Sequence, residues 1–257
     1  MTTHTDRLDA AIDITDRAAA IALGHFRHRL AIDTKADLSP VTLADRETEA
    51  AIRADLARRF PGEPVFGEEY GRSGSGADTW IVDPIDGTRS FIVGLPLFGM
   101  LLGQVRGGRP WLGVIRMPAL GEVYAGVTGH GATCNGTPIR TSACRRLDAA
   151  RLMINEVDRI AADRPEVLAR LLRAGALRRT GADCYPHALV AAGLADAVVD
   201  YGLEPYDYLP VAAVIEAAGG VMTDWDGAPL GMGSDGRTVT AATPALHAEL
   251  IALLNRP

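Results

Sequence analysis

Aromatic residues supply only 5% of this 257-residue chain, so Ala, Val, Leu and Ile must build most of any core. Cysteine is scarcer still. Cys134, Cys144 and Cys184 are odd in number and contain no C-x-x-C pair, which speaks against a disulfide framework and predicts reduced thiols in a cytoplasmic protein. The first residues, Met1-Thr2-Thr3-His4-Thr5-Asp6-Arg7, have neither the basic nor the apolar region of a signal peptide, and no apolar run approaches membrane-spanning length. No membrane association is expected. Positive charge is short as well: a formal charge of -6 argues against a general nucleic-acid binder. No G-x-x-x-x-G-K-[ST] phosphate loop is present, and the six histidines lack metal-ligand spacing; His25 and His28 are expected on a helix surface. Gly231-Met232-Gly233-Ser234-Asp235-Gly236 matches G-x-G-x-x-G, but Arg237-Thr238-Val239-Thr240 continues as strand, so the dinucleotide reading fails.

The remainder is ordinary for a globular protein, with 47% hydrophobic and 23% charged residues. Helices are predicted over about residues 5–26, with Thr5 as N-cap, and 42–59, stopped by Pro61-Gly62. A short strand at 30–33 and a polar turn at 34–40 separate them. Residues 64–67 predict a strand leading into Glu68-Glu69, and 71–77 a Gly/Ser-rich surface loop. From residue 97 to about 141, apolar runs broken by glycine turns predict an antiparallel meander. Beyond it, strands at 152–155, 177–180, 197–199, 221–223 and 239–242 alternate with helices at 164–174, 186–192, 207–218 and 244–254. The fold class is therefore α+β passing into α/β. One domain is expected, residues 1–257, with an α+β half to residue 145 and an α/β half from 146.

The chemistry concentrates in Trp80-Ile81-Val82-Asp83-Pro84-Ile85-Asp86-Gly87-Thr88. Two carboxylates and a hydroxyl stand at the end of an apolar strand. Pro84 biases Asp83 to an extended conformation and ends the strand, while Gly87 can take positive φ and let its backbone approach an anion. Glu68 stands at the end of another short strand. Three carboxylates brought together repel one another unless a cation compensates, and hard oxygen ligands suit Mg²⁺. For any one of them alone, a solvated acid at a strand end would be the better reading.

Together with Gly67-Glu68-Glu69, Pro205-Tyr206-Asp207 and Glu216-Ala217-Ala218-Gly219-Gly220, this run resembles the inositol monophosphatase family over nearly the whole chain. The resemblance implies a layered α-β-α-β-α sandwich, a homodimer, and two or three Mg²⁺ ions bound by Glu68, Asp83, the Ile85 carbonyl, Asp86 and Asp207. It implies further that Asp45 and Thr88, with Glu68, act on a metal-activated water, and that no phosphoenzyme forms. Bound cations would also let an acidic cleft accept a phosphate ester. Tyr206 stands where a Trp is common, and Pro210 is expected in the first turn of its helix.

The string Asp86-Gly87-Thr88-Arg89-Ser90-Phe91-Ile92-Val93-Gly94-Leu95-Pro96 is similar to histidinol-phosphate phosphatases rather than inositol-directed members, which have Thr-Asn-Phe there. Such an ester carries an amine and an imidazole, which Asp183, Asp200 and Glu204 would complement; Gly87, Thr88 and Arg89 would face the phosphate. The bland alternatives are a helix cap for Asp183, a solvated strand end for Asp200 and a surface charge for Arg89. Lys35 stands near the expected cluster, His187 could support Asp183, and Cys184 is expected as buried packing. The reading is an Mg²⁺-dependent phosphomonoesterase acting on L-histidinol phosphate. A myo-inositol-1-phosphatase or broad sugar-phosphate phosphatase is the alternative, and a non-catalytic regulatory protein of the same fold a remoter one.

Overall fold

The computed structural model describes residues 3–28, 32–34 and 40–256. The chain opens with helix α1 (His4–His25), strands β1 (Ile32–Thr34) and β2 (Pro40–Thr42), and helix α2 (Leu43–Arg59). The N-cap of α1 is Thr3 rather than Thr5. Thr3 Oγ1 accepts from the Asp6 amide at 3.1 Å and Asp6 Oδ2 accepts from the Thr3 amide at 2.9 Å. Capping from Thr5 would put Leu8, which has no acceptor, in the reciprocal position.

Next come β3 (Val65–Gly67), β4 (Gly71–Ser73), β5 (Thr79–Asp86) and a short helix α3 (Thr88–Ile92). The expected loop at 71–77 thus contains a strand. β4 pairs antiparallel with β3 through its backbone, which needs no apolar side chain, and Arg53 holds it through the Ser73 hydroxyl and the Gly71 carbonyl. The meander follows as β6 (Gly99–Arg106), β7 (Arg109–Met117), β8 (Glu122–Val127), β9 (Gly131–Cys134) and β10 (Thr137–Ile139). These strands form an eight-stranded sheet in the order β10-β9-β8-β7-β6-β5-β3-β4, antiparallel except where β3 runs parallel to β5.

A 3-10 turn (Leu147–Ala149) leads to β11 (Arg151–Ile154), α4 (Val157–Asp163), α5 (Pro165–Leu171), β12 (Leu177–Thr180), α6 (Tyr185–Ala191) and β13 (Ala197–Asp200). The chain finishes with α7 (Pro205–Ala217), β14 (Val221–Asp224), β15 (Thr238–Ala241) and α8 (Pro244–Leu254). The second sheet has the order β12-β11-β13-β15-β14, with the first three strands parallel. Helix α7 begins two residues earlier than expected, on Glu204 as N-cap and Pro205 at N1, so Pro210 falls in the second turn rather than the first.

Three of four buried apolar clusters among the described residues stack these elements into an α-β-α-β-α sandwich. Ala11, Ile14 and Ala18 of α1 and Ile52 and Leu56 of α2 bury one face of the large sheet through Trp80, Val82, Met100, Leu102 and Val114. Its other face, through Ile81, Leu101, Ile115 and Met117, meets α6 and α7. The second sheet covers those helices and is itself capped by α4, α5 and α8 through Ile160, Leu171, Leu246 and Leu250. Strands buried on both faces explain the unbroken apolar runs in the sequence.

Helix α7 lies unusually close to the large sheet. Gly103, Gly113 and Gly126 stand side by side across β6, β7 and β8, facing it. A Cβ on Gly113 would sit 2.0 Å from the Pro210 carbonyl oxygen, and one on Gly126 would sit 2.6 Å from Ala217 Cβ. Only glycine admits the helix at this distance. Among the described residues no helix is long and apolar enough to cross a membrane.

Candidate active site

The register of β5 against β6 skips between Asp83↔Leu101 and Asp86↔Gly99, so the backbone bulges at Pro84 and Ile85. This turns Asp83 and Asp86 towards one point. Asp207, in the first turn of α7, joins them, and the three offer carboxylate oxygens that all lie within 4.8 Å of one another. Glu68 lines the same pocket from the end of β3, and its charge is among the causes that raise the pKa of Asp83.

Each carboxylate is held by half. Asp83 Oδ1 accepts from the Ile85 amide at 3.0 Å, Asp86 Oδ2 from the Cys184 amide at 2.6 Å and Asp207 Oδ2 from the Glu204 amide at 2.7 Å. One oxygen of each is thus fixed by a backbone N–H, leaving the other for a cation. Withdrawal from water comes first in raising all three pKa values, followed by the charge of neighbouring carboxylates. Asp83 and Asp207 are raised far above the ordinary carboxylate range, and Asp86 is raised to about 7, with the charge of Asp183 contributing. A cluster so unfavourable without a counter-charge, built of hard oxygens, fits a divalent cation such as Mg²⁺.

Asp45 is arranged in the same manner. It occupies the third position of α2, where Thr42 donates both its amide (2.8 Å) and its hydroxyl (2.6 Å) to Asp45 Oδ2. The free Oδ1 faces the Thr88 hydroxyl at 3.4 Å, and that hydroxyl also lies 3.2 Å from the Ile85 carbonyl oxygen. The expected partners therefore come together.

One supporting pair escaped the sequence reading. Buried Glu49, one turn beyond Asp45 on α2, accepts from Arg53 Nε at 2.6 Å and from the Glu69 amide at 2.7 Å. It thereby sets the turn that carries Glu68. A Cβ on Gly67 would lie 2.3 Å from Glu49 Oε1, so the glycine makes room for it. The four-residue spacing of Asp45, Glu49 and Arg53 was the available signal.

The pocket over this cluster has a volume of about 250 Å³. Asp183 and Asp200 both line it, as do Gly87, Thr88, Arg89 and Glu204. Asp200 is not a solvated strand end: it is buried and bonded to Asn155 Nδ2 (2.6 Å), His187 Nε2 (3.3 Å) and the Tyr201 amide (2.8 Å). His187 therefore supports Asp200 rather than Asp183, and is held in turn by the Thr240 hydroxyl at 2.9 Å. Asp183 caps no helix. Its carboxylate accepts from the Ser90 hydroxyl at 2.6 Å and lies where a side chain on Gly87 would be, 2.5 Å from the position of such a Cβ.

The loop that delivers Asp183 is strained, with Gly181, Ala182 and Asp183 at φ of 76°, 102° and 50°. Arg89 reaches over the rim to Glu156 (3.8 Å) and Asp158 (3.9 Å). Asn155, Glu156, Arg159 and Ser90 were not singled out from the sequence; of these, only Asn155 had a hint, as a polar end to an expected strand. Cys184 is buried, as expected, and a Cβ on Gly99 would meet its sulfur. Lys35 lies outside the described residues.

The sandwich and its carboxylate-floored pocket define a phosphoric monoester hydrolase. The inositol monophosphatase family model matches residues 4–256, and the chain belongs to that family. Its members are generally Mg²⁺-dependent, and the cluster described above has the donors for it. Among relatives, a histidinol-phosphatase of Chlorobaculum parvum is 38% identical over 255 residues, 97% of each chain. A fructose-1,6-bisphosphatase/inositol-1-monophosphatase of Aquifex aeolicus is 31% identical, over 84% of this chain and 82% of that protein. The structure of an inositol monophosphatase from Zymomonas mobilis superposes with a TM-score of 0.89 at 35% identity, covering all of both chains.

Proposed function

We propose that the protein hydrolyses L-histidinol phosphate to L-histidinol and phosphate. The observation that carries this reading is the excess of acid in the pocket. Beyond Glu68, Asp83, Asp86 and Asp207, four more carboxylates line it, Glu156, Asp183, Asp200 and Glu204, against two arginines, Arg89 and Arg159. Cations on the floor would balance a phosphate but leave this second group with an excess of two negative charges, since both arginines face Glu156. An ester with an amine and an imidazole would match it, whereas neutral ring hydroxyls would not. The 38% identity to a histidinol-phosphatase supports the same choice.

Glu68, Asp83, Asp86, Asp207 and the Ile85 carbonyl would hold two or three Mg²⁺ ions. Bound Mg²⁺ supplies neutralising charge for the phosphate and makes a water more acidic. The chain's own part is positional. Asp45 Oδ1, acting with the Thr88 hydroxyl, would take the proton of the attacking water, because Thr42 keeps Oδ2 occupied. The amides of Gly87 and Thr88, at the start of α3, would orient the phosphate as the bond to the ester oxygen breaks in line with attack. Asp183 would receive the amine, and its bond to Ser90 fixes where.

We place the enzyme in the cytoplasm as a homodimer, in keeping with its three free cysteines and its family resemblance; light scattering on the purified chain tests the dimer. The substrate assignment is tested by kcat/KM for L-histidinol phosphate, myo-inositol 1-phosphate and fructose 1,6-bisphosphate, with Mg²⁺ and with EDTA. Preference for the first is expected. A higher value for the inositol ester would overturn the assignment while leaving the phosphatase class intact.

A further inference from the structure

A second groove, of about 570 Å³, lies between the 3-10 turn at Leu147–Ala149, the end of α5 and the end of α8, and shares no lining residue with the active pocket. Four arginines border it, Arg146, Arg170, Arg173 and Arg256, against two acids, Asp148 and Glu249. Its net charge of two positive contrasts with the chain's -6. The neighbourhood shares the bias: residues 141–180 hold nine arginines and five acids, a net of plus four.

The acids are already engaged, Asp148 with Arg146 and Glu249 with the Leu147 amide at 2.6 Å. The arginines are not all so occupied. Among the described residues Arg173 and Arg256 have no side-chain partner, and Arg170, which gives Nη2 to the Leu254 carbonyl at 3.3 Å, has a buried Nε with no acceptor. A groove lined by two guanidinium groups without partners, and by a third with an N–H lacking an acceptor, calls for an anion. Leu147, Ala174 and Leu253 add an apolar floor beside the guanidinium groups.

We propose that this groove binds a small ligand carrying two or more phosphate charges and a ring, of the nucleoside diphosphate class. The volume suits such a molecule. Planar guanidinium forks suit its phosphates, and the leucines suit its ring. The parallel strands β11 and β12 begin here, where the Ala150 carbonyl accepts from the Ala176 amide at 2.9 Å, and they end at Asn155 and Gly181 in the active pocket. The groove and the catalytic pocket thus occupy opposite ends of the same two strands.

Calorimetric titration of ADP and of inorganic pyrophosphate into the full chain tests the site. EDTA is included, so that the metal-free active pocket, with eight acids against two arginines, repels both probes. Saturable binding is expected, tighter for ADP than for pyrophosphate, and weakened about tenfold by Arg173→Glu and by Arg256→Glu. Both arginines are exposed, so the variants should melt as the parent does. Failure of both probes to bind, or equal binding by parent and variants, overturns the proposal; equal affinity for the two probes removes the ring from it.

Discussion

Four aspartates at or beside the pocket share one arrangement: Asp45, Asp83, Asp86 and Asp207 each give one oxygen to a backbone N–H and turn the other elsewhere, that of Asp45 to the Thr88 hydroxyl. Replacement by the isosteric amide is therefore worse than neutral. In Asp86→Asn the carbonyl oxygen must stay with the Cys184 amide, which turns the NH₂ group towards the cation seat. Phosphatase activity is expected to fall by at least about 100-fold with the fold retained; near-parent activity would refute Asp86 as a ligand. Thr42→Ala tests the positioning of Asp45 more gently. A loss of about tenfold in kcat with little change in KM is expected, with about 1 kcal/mol of helix stability lost with the cap. At this scale the sequence was legible where the chemistry was local. Asp83, Asp86 and Thr88 announce themselves within one turn. Glu49 and Asn155 do not, because Glu49 acts on a turn twenty residues away, and Asn155 bridges to Asp200, 45 residues on.

Elements were read best where periodicity had room to show, as in the meander and the second half's long helices. Those missed, β2, β4, α3 and α4, have three, three, five and seven residues, too few to display a period. The shifted starts of α1 and α7 have a different cause: capping geometry overrode the apolar pattern. What no pattern revealed is that three separate glycines in β6, β7 and β8 align into a bed for α7. Gly113→Ala should push that helix off the sheet, costing about 1–3 kcal/mol in unfolding free energy. Because Asp207 rides on α7, the apparent Mg²⁺ affinity should weaken as well. Gly233→Ala, where a Cβ would meet nothing, is the control and should change neither. A parent-like Mg²⁺ titration for Gly113→Ala would separate the helix position from the metal site.

The molecule as a whole should respond to Mg²⁺ and to acid through different groups. The repelling carboxylates make the metal-free protein less stable, so Mg²⁺ at about 100 times its Kd should add roughly 2.7 kcal/mol and raise Tm, with EDTA reversing it. No shift in Tm would argue against a structural hold on the ion. Part of the acid response rests on Glu63, which takes bonds from Arg7 on α1, Trp80 on β5 and Gln104 on β6. Arg7, against the opposing effect of burial, holds its pKa below the ordinary 4.5. The stability it contributes is present above that pH and is lost as pH falls through the lowered value. Glu63→Gln should therefore flatten the acid limb of a denaturation series, while leaving the Mg²⁺ response unchanged.

The pocket's walls come from β5 of the large sheet, from α6 and α7 in the middle layer, and from β13 of the second sheet. No layer holds enough of it to bind a substrate. In refolding, then, catalysis is a late clock. Helix content and burial of Trp80 can return while the sheets are still separate, but hydrolysis can begin only once all three layers have docked around the ion.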